Sequence, residues 1–214
     1  MHNDKANAQF ITVEGIEGVG KTTALAVIKD TLQQAHIDVV FTREPGGTQI
    51  AEAIRRLVLL EAYDEAMTPD TELLLVFAAR AQHIAQVIKP ALAQGRWVVS
   101  DRFTDASYAY QGGGRGIPAE RIAAIESWVQ GPFRPNFTLL LDAPANVAMA
   151  RAKQRTALDR IEAEEIAFFE RGRASYLARA EQESQRFRVI DASQPLLVVE
   201  AAIKAQLQGF IAQF

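Results

Sequence analysis

A glycine-rich segment near the start of the chain constrains the fold more than any other feature. Residues 15–22 read Gly-Ile-Glu-Gly-Val-Gly-Lys-Thr and match G-x-x-x-x-G-K-[ST], a loop whose backbone N–H groups cradle nucleotide phosphates. The β-branched run at 10–13 predicts a strand before it, and apolar residues at helical spacing over 21–35 predict a helix after it. Phosphate binding at a helix N-terminus requires this order. The segment therefore predicts a nucleoside triphosphate site.

The residues of this loop have distinct expected roles. Gly15 and Gly20 permit backbone angles and a close approach that a side chain would prevent. Lys21 supplies a positive charge for the β- and γ-phosphates, and Thr22 offers its hydroxyl to Mg²⁺. The predicted nucleotide contacts are Gly15, Ile16, Glu17, Gly18, Val19, Gly20, Lys21, Thr22 and Thr23.

Composition and charge exclude several classes of protein. The 214 residues, 49% of them apolar, suit a single α/β domain over 1–214. The absence of cysteine excludes disulfides, thiolate metal sites and a cysteine nucleophile. A net charge of −3 argues against a general nucleic-acid-binding surface. No apolar run has the length of a membrane span, and residues 1–9 lack the apolar region of a secretory signal. We therefore expect neither a nucleic acid nor a membrane as a partner.

Apolar strand patterns alternate with helical patterns along the chain. Strands are predicted at 10–13, 37–42, 97–100, 137–141 and 187–190, and helices at 21–35, 50–60, 71–93, 119–129, 146–155, 160–180 and 195–214. Pro90 is expected to kink or break the third helix. The alternation predicts a parallel sheet with helices on both faces, which binds ligands beyond the carboxyl ends of its strands. The segments at 15–22, 43–44, 101–102 and 142 should therefore meet at one edge.

The strand-end residues distinguish among phosphate-loop proteins. The Asn-Lys-x-Asp and Asp-x-x-Gly motifs of a regulatory GTPase do not occur in the sequence. The apolar strand ending at Asp142 could imitate that of a motor or transporter ATPase, but the chain is small and its other strand ends are rich in arginine. A small kinase must hold two anionic substrates together, which arginines clustered at one edge would permit. We therefore favour a kinase.

Four further motifs together carry a family resemblance. They are Thr-Arg-Glu-Pro-Gly-Gly-Thr at 42–48, Asp-Arg-Phe at 101–103, Tyr-Gln-Gly-Gly-Gly-Arg-Gly at 110–116 and Leu-Asp-Arg-Ile-Glu at 158–162. With Glu17 in the phosphate loop, the chain resembles bacterial thymidylate kinases from residue 10 to about residue 192. The resemblance implies transfer of the γ-phosphoryl group of ATP to dTMP with Mg²⁺, in a cytoplasmic homodimer. It also implies a three-layer fold with a five-stranded parallel sheet and a small lid at about 151–162.

The resemblance implies a catalytic role for arginines near the lid. Some members carry an arginine at the position of Gly18, and members without it place catalytic arginines in the lid. Arg151 and Arg155 lie one helical turn apart on a segment that runs into the lid. We assign the role of neutralising the transferring group to Arg155 first and Arg151 second, with Arg160 as a further candidate.

The resemblance also implies how the acceptor is held. Asp101 would bind Mg²⁺ or its waters, and Arg102 would grip the acceptor or transferred phosphate. The implied catalytic residues are Lys21, Asp101, Arg102, Arg151 and Arg155, and the implied metal ligands are Thr22 and Asp101. The implied dTMP contacts are Glu17, Arg43, Phe77, Arg80, Arg102, Ser107, Tyr110 and Gln111.

Individual dTMP contacts have individual expected roles. Glu17 would meet the sugar 3′-hydroxyl, and Tyr110 would crowd a ribose 2′-hydroxyl. Phe77 and Arg80 share a helix face, so Phe77 is a candidate to stack on thymine and Arg80 to bind its carbonyl edge. In some relatives the stacking aromatic occupies the position of Val76 instead.

The residues leave two alternatives open. One is a kinase for another nucleoside monophosphate or for a nucleoside. The other is a nucleotide-binding regulatory module without catalysis, which detectable Mg²⁺-dependent phosphoryl transfer would exclude.

Overall fold

A computed structural model describes residues 8–61, 63–152 and 159–214. Five parallel strands form one sheet in the order β2-β3-β1-β4-β5, with β1 at Phe10–Glu14, β2 at Val39–Arg43, β3 at Trp97–Asp101, β4 at Phe137–Asp142 and β5 at Phe187–Asp191. In the register, Asp101 lies opposite both Val13 and Arg43. The phosphate loop and the Arg43 and Asp101 segments therefore leave the sheet at the same edge.

Helices cover both faces of this sheet. They are α1 (Lys21–Gln34), α2 (Gln49–Leu59), α3 (Pro69–His83), α4 (Lys89–Ala93), α5 (Thr104–Ser107), α6 (Ala119–Gln130), α7 (Ala145–Ala152), α8 (Ile166–Gln182) and α9 (Leu196–Ile211). Ile28 of α1 and Ile203 of α9 share a core with Ile11, whereas Phe10 packs in a different cluster with Ile84. Successive strand residues point to opposite faces, so the predicted sheet covered on both sides is confirmed.

Two π-helical segments are found where the sequence pattern did not predict them. Ile84–Ile88 separates α3 from α4, so the predicted helix at 71–93 is continuous only as an α–π–α run, with Pro90 in the first turn of α4. Tyr108–Gly114 continues α5 through three glycines, where propensity predicted no helix. Packing explains the second segment, because a Cβ atom on Gly114 would lie 2.3 Å from the Phe168 ring of α8.

Two helix predictions near the lid require correction. The helix predicted at 160–180 begins only at Ile166. Residues before it form a turn, because Oδ1 of Asp159 accepts the backbone N–H groups of Ile161 and Glu162 at 2.9 and 2.8 Å. The helix predicted at 146–155 is described as far as Ala152, and the rest of that prediction lies outside the described residues.

Candidate active site

The phosphate loop joins the end of β1 to the start of α1 through three left-handed glycines. Gly15, Gly18 and Gly20 have φ angles of 135°, 77° and 96°, which residues with a side chain rarely adopt. A Cβ atom on Gly18 would lie only 1.8 Å from the carbonyl oxygen of Ala148 in α7. This chain therefore has no room at position 18 for the arginine that some relatives carry there.

The Lys21 side chain folds back over the loop. Its ammonium donates to the carbonyl oxygens of Gly15 and Ile16 at 3.2 and 3.1 Å and to Oε2 of Glu17 at 3.3 Å. Burial, together with the nearby positive charge of Arg102, lowers the pKa of Lys21, while Glu17 opposes this shift. A phosphate group at the loop would supply negative charge that favours the protonated ammonium.

Arg102 occupies a strained position directly after β3. Its φ angle is 71°, in the left-handed region, and such strain is typical of functional sites. Its guanidinium donates to the Gly15 carbonyl oxygen at 2.8 Å and to Oε1 of Glu17 at 2.5 Å, and it lies 4.8 Å from the centre of the Tyr110 ring. Burial disfavours its charge, but the carboxylate of Glu17 helps to hold its pKa well above the ordinary value. Arg102 therefore stays positively charged beside the phosphate loop.

Asp101 and Thr22 meet the requirements for a Mg²⁺ site. Both line a polar cavity in front of the phosphate loop. Oδ1 of Asp101 is buried and accepts no hydrogen bond from any residue that the structure describes, which is costly unless a ligand completes it. Mg²⁺ prefers oxygen ligands and keeps several waters, so one carboxylate and one hydroxyl suffice on the protein side. The donor set fits Mg²⁺.

Two cavities adjoin at this edge of the sheet. The polar cavity is lined by Lys21, Thr22, Asp101 and parts of the phosphate loop. The second, which we call the acceptor cavity, lies between α2, α3 and the helical segment 104–114 and has both apolar and polar walls. The residues that line both cavities are Glu17, Glu44, Arg55, Arg102 and Asp159. Arg102 and Glu17 thus stand where the two cavities meet.

Polar side chains form one wall of the acceptor cavity. Arg80 is 2% exposed, and it donates to Oε2 of Glu44 at 2.7 Å, to Oγ of Ser107 at 3.0 Å and to the Phe103 carbonyl oxygen at 3.1 Å. These bonds use three of its five N–H groups. Ser107 and Gln111 line the same wall. The Arg80 prediction is therefore compatible with its position.

Tyr110 lies on the same wall, nearer to the junction of the two cavities. Its hydroxyl is buried and finds no hydrogen-bond partner within the described part of the chain. An unpartnered buried hydroxyl in a cavity wall is a candidate for a ligand contact.

Phe77 does not occupy the predicted stacking position. It is 1% exposed and packs in the core with Leu73 and Ile122. The guanidinium carbon of Arg80 lies 4.4 Å from the centre of its ring, and Val76 lines the cavity in its place. The prediction that Phe77 stacks on a base is therefore corrected, because Phe77 supports Arg80 from behind.

The described arginines near the lid donate to backbone and carboxylate groups of other elements. Arg151 lines a third depression beside the loop with Val19 and Ile203, and it donates to the Ala192 carbonyl oxygen at 2.8 Å. Arg160 donates to the Val58 carbonyl oxygen at 2.8 Å and to Glu72 at 2.5 Å. The catalytic role predicted for Arg151 and considered for Arg160 therefore stays a prediction. Arg155, the first choice, lies outside the described residues.

Arg43, which is predicted to contact dTMP, lines the polar cavity and is not among the residues that line the acceptor cavity. It pairs with Glu52 of α2 at 3.0 Å, and 54% of its side chain is exposed. Such an exposed pair contributes little to stability. Arg43 can therefore turn toward a bound phosphate at small cost.

Sequence reasoning missed Arg55 and Asp159. Arg55 lies on α2, donates to the Pro45 carbonyl oxygen at 3.1 Å and lines both cavities. Burial and the proximity of Arg43 lower its pKa, which a bound anion would oppose. Its spacing of four residues from both Ala51 and Leu59 signals the inward face of the helix. Asp159 belongs to the motif at 158–162, which by itself predicts no role for it.

Comparisons with known proteins agree with this geometry. The family model described as thymidylate kinase matches residues 13–203. A thymidylate kinase of Pseudomonas putida (strain W619) is 57% identical over 202 residues, which cover 94% of this chain and 97% of that protein. Thymidylate kinases of Pseudomonas entomophila (strain L48) and Ectopseudomonas mendocina (strain ymp) are 57% and 56% identical, each match covering 94% of this chain and 96% of the relative. Within the described residues, no helix is both long and apolar enough to cross a membrane.

Proposed function

The chain belongs to the thymidylate kinase family, and we propose that it transfers the γ-phosphoryl group of ATP to dTMP, which yields dTDP and ADP. One observation carries this proposal: Arg102 and Glu17 line both the phosphate-loop cavity and the acceptor cavity. Direct transfer requires the attacking oxygen and the γ-phosphorus to meet at one point. The junction of the two cavities provides that point.

The donor nucleotide lies along the phosphate loop. Its phosphates accept the loop N–H groups at the start of α1, and Lys21 exchanges its contacts with loop carbonyls for contacts with the β- and γ-phosphates. The apolar depression lined by Val19, Arg151 and Ile203 begins at the same loop, and we assign it to the nucleobase of ATP. Arg151 thereby becomes a donor-binding residue.

Thr22 and Asp101 are the residues that would hold Mg²⁺. A Mg²⁺ ion held by these residues would neutralise part of the negative charge of the donor phosphates. The described part of the chain contains no cluster of three His, Asp or Glu side chains that could hold a metal by itself. This is consistent with a site that the substrate phosphates complete.

The acceptor dTMP occupies the cavity behind Arg102. The wall formed by Arg80, Ser107 and Gln111 reads the thymine edge, while Glu17 and Tyr110, nearer the junction, face the deoxyribose. The phosphate of dTMP then lies beside Arg55 and Arg102, with Arg43 within reach. Three arginines offset the repulsion between the acceptor phosphate and the triphosphate.

A phosphate oxygen of dTMP attacks the γ-phosphorus, and the bond between that phosphorus and the β–γ bridging oxygen breaks. The monoester dianion is already a nucleophile, so the enzyme requires neither a covalent intermediate nor a strong general base. Arg102 and Lys21 stabilise charge on the transferring group. We retain Arg155 as the candidate lid arginine for this group, on the basis of the family resemblance.

Initial rates of ADP release from Mg²⁺-ATP test the proposal. The acceptors are dTMP, dUMP, dCMP, dAMP and the ribose form of TMP (ribothymidine monophosphate). The wild type and Arg155→Ala are compared with each acceptor. The highest kcat/KM is expected for dTMP, and Arg155→Ala should lower kcat more than it raises KM. Equal or faster turnover of another acceptor would overturn the substrate assignment. ATP binding without turnover of any acceptor would favour a regulatory module.

We also propose that the chain works as a cytoplasmic homodimer, on the basis of its family. Leu74 of α3 and Trp128 of α6 are large apolar side chains that are 56% and 85% exposed, so their burial between two copies would stabilise a dimer. Sedimentation equilibrium should give a mass near twice that of one chain for the wild type, and a monomer for Trp128→Glu if this surface is buried in the dimer.

A further inference from the structure

Glu72 is a buried carboxylate directly behind the wall of the acceptor cavity. It lies in the first turn of α3 and is 0% exposed. Its Oε1 atom accepts from Nε2 of Gln111 at 2.8 Å, and its Oε2 atom accepts from Nη2 of Arg160 at 2.5 Å and from Nε of Arg115 at 3.1 Å. Glu72 lies outside the sequence motifs and has no role in the phosphoryl transfer described above.

The contact with Glu72 decides which way the amide of Gln111 faces. A carboxylate between two guanidinium groups acts only as an acceptor, so the Gln111 group that points at it must be the NH₂ group. The amide is planar, so its carbonyl oxygen then points away from Glu72. Gln111 lines the acceptor cavity and is itself 3% exposed. The carbonyl oxygen of Gln111 is therefore a hydrogen-bond acceptor that is available to a ligand in the cavity.

An acceptor at Gln111 suits thymine and not cytosine. Thymine carries a donor at N3–H and acceptors at its carbonyl oxygens, whereas cytosine carries an acceptor at N3 and a donor at its amino group. Arg80 and Ser107 supply the donors on the same wall. Cytosine would place its N3 lone pair against the Gln111 carbonyl oxygen and leave buried groups unpaired.

We propose that Glu72 is a specificity-determining positioning residue, which locks the Gln111 amide so that the site accepts N3–H of thymine and rejects cytosine. The proposal rests on the proposed function, because it assumes that the thymine edge meets this wall. Glu72 acts through Gln111 and does not touch the substrate.

The Glu72→Gln variant should reverse the orientation of the Gln111 amide. The two arginines would attract the carbonyl oxygen of the substituted side chain, which leaves the NH₂ group of that side chain facing Gln111. Two NH₂ groups cannot bond each other, so Gln111 would rotate and offer its own NH₂ group to the cavity. A donor at that position suits the N3 atom of cytosine.

The test measures kcat/KM for dTMP, dUMP and dCMP in three proteins. They are the wild type, Glu72→Gln and the control Glu164→Gln, whose carboxylate pairs with Arg115 at 2.5 Å in the same cluster. In Glu72→Gln, the ratio of kcat/KM for dTMP to that for dCMP should fall about tenfold or more, with KM for ATP within about twofold of the wild-type value. In Glu164→Gln that ratio should stay within about twofold of the wild-type ratio.

A merely structural role for Glu72 gives a different result. Equal loss of dTMP and dCMP turnover in Glu72→Gln, with the ratio unchanged, would overturn the proposal while leaving the kinase intact. A wild type that does not prefer dTMP to dCMP would instead overturn the proposed function and this proposal with it.

Nuclear magnetic resonance of the wild type keeps the proposal testable if Glu72→Gln fails to fold. The side-chain NH₂ signals of Gln111 should be protected from solvent exchange before dTMP is added, because Glu72 already holds this group. Unprotected signals that become protected only when dTMP binds would show that the NH₂ group faces the substrate, which contradicts the proposal.

Discussion

One contiguous segment, residues 15–22, supplies the phosphate-binding loop of the polar cavity, and side chains such as Asp101 and Arg102 complete that cavity. The acceptor cavity is instead walled by side chains from separate elements, with Arg80 on α3, Ser107 on α5 and Gln111 in the π-helical segment. Each of these acceptor-side groups depends on a buried partner, such as Glu44 behind Arg80 and Glu72 behind Gln111. The phosphate-binding part of the donor side is therefore specified by one local motif, whereas the acceptor side depends on long-range hydrogen bonds.

This difference separates two kinds of function. Phosphate binding needs charge and N–H groups at one point, which a loop and a helix terminus provide for any nucleotide. Base recognition needs donors and acceptors in a fixed order, and each must be held in place by a further residue. Donor-side substitutions should thus lower turnover of every acceptor alike, whereas acceptor-side substitutions should change the preference among acceptors.

Lys21→Met should have the largest effect among the donor-side substitutions. Because its ammonium stabilises charge on the transferring group, kcat should fall by about 10²- to 10³-fold, by the same factor for dTMP and dUMP. Steady-state rates with both acceptors measure this, and Lys29→Met, an exposed position on the same helix, is the control. If Lys21→Met lowered kcat by different factors for dTMP and dUMP, donor-side substitutions would also change the preference among acceptors, contrary to our expectation.

Gly18→Ala should damage the donor side without changing the acceptor preference. The added Cβ atom would meet the Ala148 carbonyl oxygen in a left-handed conformation, which should cost about 2 kcal/mol or more in the free energy of unfolding. Chemical denaturation measures this cost, and calorimetry should show weaker ATP binding. Gly209→Ala, a helical position with open space around its Cβ, should not be destabilised.

Glu14 is a buried carboxyl near Arg102, and the Glu14→Gln variant tests whether its titration makes the free energy of unfolding depend on pH. The Glu14 carboxyl accepts the Phe103 N–H at 2.7 Å and the Tyr176 hydroxyl at 2.7 Å, and burial raises its pKa to about 8. In the unfolded chain the Glu14 carboxyl loses its proton at its ordinary pKa of 4.5, whereas in the folded chain it stays protonated up to about pH 8. The stabilisation is therefore complete below about pH 4.5 and is lost as the pH rises to about 8.

Denaturation at a series of pH values between about 5 and 8 measures this effect. The wild type should lose up to about 1.4 kcal/mol of unfolding free energy per pH unit relative to Glu14→Gln, which cannot titrate. Parallel curves for the two proteins would show that Glu14 does not retain its proton in the folded state.

Arg151→Ala should have the smallest effect. Arg151 borders the depression assigned to the ATP base and contacts the Ala192 carbonyl oxygen, so its loss should raise KM for ATP about three- to tenfold with kcat for dTMP nearly unchanged. Rates at saturating dTMP measure this. A fall in kcat of about 10²-fold or more at saturating ATP would instead support the catalytic role predicted for Arg151.

The sequence predicted the donor side better than the acceptor side, for physical reasons. The phosphate loop is a local motif, and five apolar strands at the expected positions were enough to predict the sheet. The prediction for Phe77 was wrong because neighbouring residues on a helix point about 100° apart. Val76 therefore lines the cavity, whereas Phe77, one residue later, points into the core. The role of Glu72 could not be predicted from the sequence, because its hydrogen-bond partners at 111, 115 and 160 are distant along the chain.

If Arg102 joins the donor and acceptor sites, as we propose, its loss should impair phosphoryl transfer, which the kinetics of Arg102→Met measure. Turnover of dTMP with Mg²⁺-ATP should be compared with the wild type and with Arg56→Met, an exposed arginine on α2. We expect kcat to fall by about 10³-fold and KM for dTMP to rise, while the affinity for ATP changes little, because Arg102 acts on the acceptor and the transferring group. A kcat within about tenfold of the wild-type value would show that Arg102 does not join the two sites.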